Sequence, residues 1–337
     1  MPSSATDSAR EWLERGHLLA ASGQHGDLVA ALDCYDRARN FCDAATGDPD
    51  NLRQLGLAWM NRGNILQQLG ESQDCESALD AYDTALAAFR TIRHQPGVLN
   101  TIGAALLNRG GAHQRHGLIR AAIADYALAR TELAPLVPDG DFSATRNAAG
   151  ATINLIQLQL EQAAVPPDAL DQLAAMHDAL SARAARDSIA ATLSLEISRL
   201  ELLLRERDLD SNSLADFTDT LEAALALAVN WCHRPHPTAS RLAAQLFEFG
   251  ARTYAAYQPQ FLLEYLRDAL DPVTGPAPFA RQPMYQQIAA AVLRQLRDEL
   301  DRPRVFQADE TASHNIAALR HELGQPMPWL HASPLSS

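Results

Sequence analysis

Apolar positions recur at helical spacing along the whole chain, and no strand-like alternation persists anywhere. The clearest stretch opens at Asp48-Pro49, an N-cap followed by proline at the first helical position. Helical periodicity then runs to about Leu69, Gly70 breaks it, and a second helix is predicted over roughly Asp74 to Arg93. His94-Gln95-Pro96-Gly97 closes that helix and the cycle restarts.

This helix pair is one of three. Arg-Gly, a glycine seven residues on, and then Ala-x-x-x-Tyr-x-x-Ala first appear as Arg15-Gly16, Gly23, Ala31, Tyr35 and Ala38. They return as Arg62-Gly63, Gly70, Ala78, Tyr82 and Ala85, and again as Arg109-Gly110, Gly117, Ala122, Tyr126 and Ala129. Both glycines recur every 47 residues. From turn glycine to next alanine the third copy takes five steps and the others eight, a three-residue insertion in a turn, where length costs little. Glycine in the first helix lets the second approach its backbone. Alanines keep the pair close, and tyrosine fills the space between them. Leu32, Leu79 and Ile123 extend the apolar stripe. Repeated helix pairs cannot bury their apolar faces alone, so they stack into a solenoid with an open groove. The expected fold is therefore all-α, a solenoid of antiparallel helix pairs whose groove suits binding better than reaction.

Beyond Pro135-Leu-Val-Pro138-Asp-Gly140 the signature fades while helical periodicity continues. Helices are predicted near 142–164, 167–184, 187–207, 211–230, 237–257, 259–271, 278–301 and 309–323. Breakers separate them at Val165-Pro-Pro-Asp168, His233-Arg-Pro-His-Pro237 and Asp271-Pro-Val-Thr-Gly-Pro-Ala-Pro278. Connections this short favour antiparallel neighbours. The expected organisation is three repeats over 1–134, degenerate helical pairs continuing the solenoid or a helical bundle over 139–323, and a loose Pro/Ser-rich tail over 324–337.

Residues 9–134 resemble tetratricopeptide repeats of a long-period bacterial type. Trp12 and Trp59 fall at that family's first aromatic position, four residues before the glycine, with Leu106 there in the third copy. Asn61-Arg62-Gly63 and Asn108-Arg109-Gly110 match a variant common in bacterial repeats. The departure is the period, 47 residues against about 34 in the standard unit. The resemblance implies that polar residues near the glycine and beyond it line a groove. Carried over, these are Glu14 and His17 in the first copy, Asn61, Asn64, Gln67 and Gln68 in the second, and Asn108, Gln114 and Arg115 in the third. Asparagine there could pair with a peptide backbone, a sequence-tolerant form of recognition. The same residues also fit an ordinary solvated helix face. One subfamily grips a C-terminal carboxylate with two asparagines and several cations. Asn64 and Asn108 are present, but Leu13 and Ala104 stand where cations would be needed, which disfavours that ligand.

Charge narrows the partner. The 28 basic residues are all arginine, against 41 acidic ones, giving a net charge of −13 spread over both halves. Without a basic face, nucleic acid and anionic membranes are disfavoured. A basic or amphipathic segment of another protein would suit such a chain. Apolar residues make up 47% of the chain, enough for a core, while aromatics are only 6% and alanine dominates, as close-packed helices require. The four cysteines, Cys34, Cys42, Cys75 and Cys232, show no paired spacing, which suits free thiols in a reducing compartment. With no export pattern at the start and no long apolar run, a cytoplasmic protein is expected.

Few residues point to chemistry. His113 and His116 share a helix face at a spacing some metal sites use, but no carboxylate or third ligand is locally placed. Trp231-Cys232-His233-Arg234-Pro235-His236 is the densest reactive cluster, though its prolines mark an inter-helix turn and no acid orients the histidines. Asp33/Asp36, Asp80/Asp83 and Asp298/Asp301, with Arg37, Arg90 and Arg302 near them, read as solvated faces. No phosphate loop, H-E-x-x-H or G-x-S-x-G occurs. Trp329 in Gln-Pro-Met-Pro-Trp-Leu could anchor the tail on the protein's own groove or on a partner, or lie in a disordered tail. The leading expectation is a non-catalytic adaptor or scaffold that needs no cofactor or metal and holds a peptide or helical segment. The alternatives are a dedicated chaperone for one client and a sensor that binds a small ligand or signal peptide.

Overall fold

The computed structural model describes residues 5–42, 47–70, 72–207, 214–232, 237–257, 259–270, 283–301, 318–319, 321–325 and 327. Regular structure among the described residues is entirely helical. The chain runs through α1 (Ala5–Ala20), α2 (His25–Asn40), α3 (Pro49–Leu69), α4 (Ser72–Thr91), α5 (Val98–Arg115) and α6 (Ile119–Leu133). A 3₁₀ turn at Ala134–Leu136 precedes α7 (Phe142–Glu161), α8 (Ala169–Ala184), α9 (Ser188–Arg207) and α10 (Leu214–Cys232). Then follow α11 (Pro237–Tyr257), α12 (Pro259–Leu270) and α13 (Pro283–Asp301). Within each unit helices that are neighbours in sequence are neighbours in space: α1 to α7 each pack on the next, and α9 to α12 do likewise, in solenoid fashion. The chain divides into two compact units, Met1–Ala179 and Leu180–Ser337, so the first extends past the three matched copies.

In the N-terminal unit the punctuation acts as the sequence implies. The Asp48 carboxylate accepts the Asn51 N–H at 3.0 Å, and Pro49 occupies the first turn, where no N–H partner is needed. Gly70 ends α3 at φ 75°, and its N–H caps the Leu66 carbonyl at 3.2 Å. Gly117 ends the third copy's first helix at φ 71°, again the left-handed conformation that favours glycine.

What holds each hairpin is a glycine under a ring. A Cβ on Gly16 would lie 2.5 Å from the Tyr35 ring, one on Gly63 2.9 Å from Tyr82, and one on Gly110 2.7 Å from Tyr126. The contact is double. Seven residues earlier, Gly56 faces Phe89 and Gly103 faces Leu133 with no room for a side chain. Stepping back along the first helix while stepping forward along the second gives the antiparallel arrangement. In the first copy Ala9, fully buried, stands at the register of Gly56 and Gly103. Tyr35, Tyr82 and Tyr126 are almost wholly buried, worth about 2–3 kcal/mol each. Burial raises all three phenols, Tyr35 and Tyr126 to about 12.

Where α3 seats Ala58 and Ile65 on the preceding hairpin, α1 carries exposed Glu11 and Leu18 at the equivalent register, and exposed Glu14 stands at the register of Asn61.

Among the described residues, the C-terminal unit repeats the hairpin device in a form that does not follow the 47-residue pattern. A Cβ on Gly250 of α11 would meet the Tyr265 hydroxyl at 2.8 Å and Leu221 at 3.2 Å. Its core centres on Phe217, Phe247, Leu266, Tyr285 and Leu293, with the Phe247 and Tyr285 rings perpendicular at 5.2 Å. Met327, expected in a loose tail, is half-buried against this core together with Leu319 and Leu323, because its apolar side chain gains more from that surface than from water.

Candidate functional site: the first-helix face of the N-terminal unit

The second helices hold the hairpins together, so one side of α1, α3 and α5 is left to form the open face. The residues expected to line it sit there in an order the sequence alone does not reveal. Asn61 Nδ2 donates to His17 Nε2 at 2.7 Å, tying α3 to α1. Asn108 Nδ2 donates to Asn64 Oδ1 at 3.0 Å, and Gln67 Nε2 donates to the Asn108 carbonyl at 3.1 Å, tying α5 to α3. The buried tyrosines reach the same level from below: Tyr82 donates to Asn64 Oδ1 at 2.7 Å and Tyr126 to Gln114 Oε1 at 2.9 Å. Asn154 of α7, which no motif singles out, hydrogen-bonds Tyr126 and continues the row. Six of the nine expected residues, His17 among them, thus have side-chain groups engaged within the protein, as a ladder along the seams between first helices.

The remaining three, Glu14, Gln68 and Arg115, differ. Gln68 and Arg115 are exposed, and Arg115 forms no ion pair among the described residues. Its cation is close enough to Tyr82 and Tyr126 to favour their ionised forms, though burial outweighs it. His17 is exposed apart from its bond to Asn61 and an edge contact with Tyr35 at 5.9 Å. Glu14 lies at the terminal end of the ladder. Gly111 takes the register of Asn64 in the third copy, and a Cβ there would meet only the Tyr126 hydroxyl, at 3.8 Å. With Ala104 nearby in the same stripe, α5 is thin beside Arg115.

Elsewhere in this unit the repeated arginine has a role that sequence reasoning leaves blank. Arg62 Nε donates to Asp36 of the preceding hairpin at 3.2 Å, and Arg109 donates to Asp83, its equivalent one copy on. Both aspartates directly follow the repeated tyrosine, a regularity legible at the 47-residue period. Of the pairs read as solvated faces, Asp33 and Arg37 fit, bonded at 2.8 Å and both exposed, whereas Asp36 and Asp83 join hairpins. Arg109 also grips both oxygens of buried Asp125, at 2.9 and 2.5 Å. Burial pulls the guanidinium towards neutrality, but the two carboxylates outweigh it and its proton is held more tightly than usual. His113 Nδ1 lies 2.9 Å from Asp125 Oδ2. The expectation of no carboxylate near His113 is therefore corrected: Asp125 comes from the facing helix, twelve residues on, which spacing along one helix cannot show.

Among the described residues no group of three or more His, Cys, Asp or Glu converges as a metal site would, and no helix is long and apolar enough to cross a membrane. Cys34 and Cys42 are free thiols, and burial raises Cys42 to about 11, away from reactivity. Residues 233–236 and Trp329 lie outside the described residues, as do the side chains of Trp231 and Cys232. Comparison with protein-family models and with curated proteins finds no match.

Proposed function

We propose that this protein is a non-catalytic interaction module that holds a peptide or helical segment of another protein on the first-helix face of α1, α3 and α5. The observation that carries the reading is the division of labour on that face. Asn61, Asn64 and Asn108 bond across the seams between the helices, Asn61 through His17, while Gln68, Arg115 and the gap at Gly111 are left open towards solvent. A pre-arranged polar surface lowers the ordering cost of binding a flexible segment. The free thiols of Cys34 and Cys42 suit a reducing compartment such as the cytoplasm.

The test follows from the same division. A Gln68→Ala/Arg115→Ala variant keeps its fold, since both side chains are exposed and neither bonds across a seam. Affinity purification from the native cell, compared with the wild type by quantitative mass spectrometry, should show partners captured by the wild type and lost together from the variant. Undiminished capture by a folded variant would contradict the proposal.

A further inference from the structure

Two joints between successive hairpins can be compared atom by atom. At the first, Arg62 of α3 donates to Asp36 of α2 at 3.2 Å and lies 5.7 Å from the Trp59 ring, while Arg39 of α2 shares the same carboxylate at 3.4 Å. At the second, Arg109 of α5 donates to Asp83 of α4 and also to both oxygens of Asp125 on α6, the partner helix of its own hairpin. Cys34 and Ala81 occupy the register of Asp125 in the other copies, so this carboxylate is particular to the third. Opening the first joint strips a half-buried guanidinium of its carboxylate. Opening the second does not, because Asp125, backed by His113, keeps the charge paired.

The second joint is also the least tightly closed on the first-helix side. Helices α3 and α5 meet less extensively than α1 and α3 or α5 and α7. Gly111 and Ala104 thin α5 there, and hydrogen bonds from Asn108 and Gln67 bridge the gap. At the opposite end of the same helices the packing is apolar: Leu52, Leu55, Phe89, Val98, Ile102 and Leu106 form one buried cluster. Apolar contacts tolerate small rotations, whereas the hydrogen bonds at the far end must break and re-form with water.

The geometry points to a conformational joint between the second and third hairpins, pivoting on the Leu55–Phe89–Ile102 cluster and latched by Asp83 on Arg109. Asp125 is the retaining partner that holds the guanidinium while the latch is open. The Asp83 side chain is 62% exposed, so salt screens the latch far more than the buried Asp125 contact. Its movement changes the width of the α3–α5 seam between Gln68 and Arg115. The consequence for binding rests on the function proposed above; the joint itself does not.

Pulsed electron-spin distance measurements on the full chain test this. Nitroxides are placed on a ketone-bearing non-natural residue, so the native cysteines stay untouched. Labels at Gln68 and Leu118 span the second joint, and labels at Ser22 and Gln68 span the first. Raising the salt concentration, or introducing Asp83→Asn at low salt, should shift or broaden the Gln68–Leu118 distances by several ångströms and leave Ser22–Gln68 unchanged. Asp83→Asn should keep the wild-type thermal midpoint, while Asp36→Asn lowers it. Equal responses from both pairs, or none to Asp83→Asn, would overturn the joint. Partner capture by Asp83→Asn is read separately: if the distances move and capture does not change, the joint stands and its regulation of binding falls.

Discussion

The N-terminal unit closes the seams between its first helices with side-chain amides, Asn61 to His17 and Asn108 to Asn64. In the C-terminal unit the corresponding seam, between α11 and α13, has an exposed Glu248–Arg252 pair at 2.5 Å on one wall. Met284, Gln287, Ile288, Ala291, Val292 and Gln295 line the other, and a cleft of about 260 Å³ is left between them. Yet both units build a hairpin in the same way, with glycine beneath tyrosine, Gly63 under Tyr82 and Gly250 under Tyr265. The hairpin device and the seam are therefore separable features. The first decides that two helices pair; the second decides how firmly one pair registers on the next. Amide bonds register one helix on the next for as long as they are made, whereas the mixed C-terminal seam leaves an open cleft in which polar side chains can meet water.

The sharpest way to break this comparison is to remove a ring. Tyr82→Ala should cost about 3–5 kcal/mol, since it empties a fully buried site and frees Asn64 from a bond. Urea denaturation followed by circular dichroism reads that loss. Asp125→Asn should cost about 3 kcal/mol by leaving Arg109 and His113 around a neutral group, and the loss should shrink in the Arg109→Met background. Gly250→Ala should cost about 1–3 kcal/mol, because the added methyl would press on the Tyr265 hydroxyl at 2.8 Å and on Leu221 at 3.2 Å. An equal loss for Gly63→Ala would show one device at work in both units. Asn108→Ala should cost about 1 kcal/mol, the worth of a seam hydrogen bond. Gln68→Ala, on the open face, should stay within about 0.5 kcal/mol. An Asn108→Ala loss no larger than that of Gln68→Ala would erase the distinction between ladder and face.

The all-helical fold and the three hairpins were legible because Gly16, Gly63 and Gly110, with Tyr35, Tyr82 and Tyr126, recur at one interval. The second contact was equally legible and overlooked: Gly56 and Gly103 also stand 47 residues apart. Gly250 and Tyr265 were hidden by a shorter spacing, since a tighter turn moves the ring nearer in sequence while keeping it over the glycine. At the candidate site, sequence placed polar residues on the right helices but could not say where their hydrogen bonds go. An asparagine facing solvent and one facing the next helix look alike until the neighbour is positioned. For the same reason Asp125 stayed invisible as a partner of His113, because its helix is contributed by the other half of the hairpin.

The claim on which the account turns is that the side of α1, α3 and α5 bearing Gln68 meets another protein. A photo-crosslinking benzoylphenylalanine placed at Gln68, with a second chain carrying it at Leu128 on the second-helix side, measures this directly in the native cell. The account predicts discrete adducts from Gln68 that vanish when Gly111→Trp fills the gap beside it, and none of the same species from Leu128. The same adducts from both positions, or adducts from Gln68 that survive Gly111→Trp in a folded protein, would contradict it.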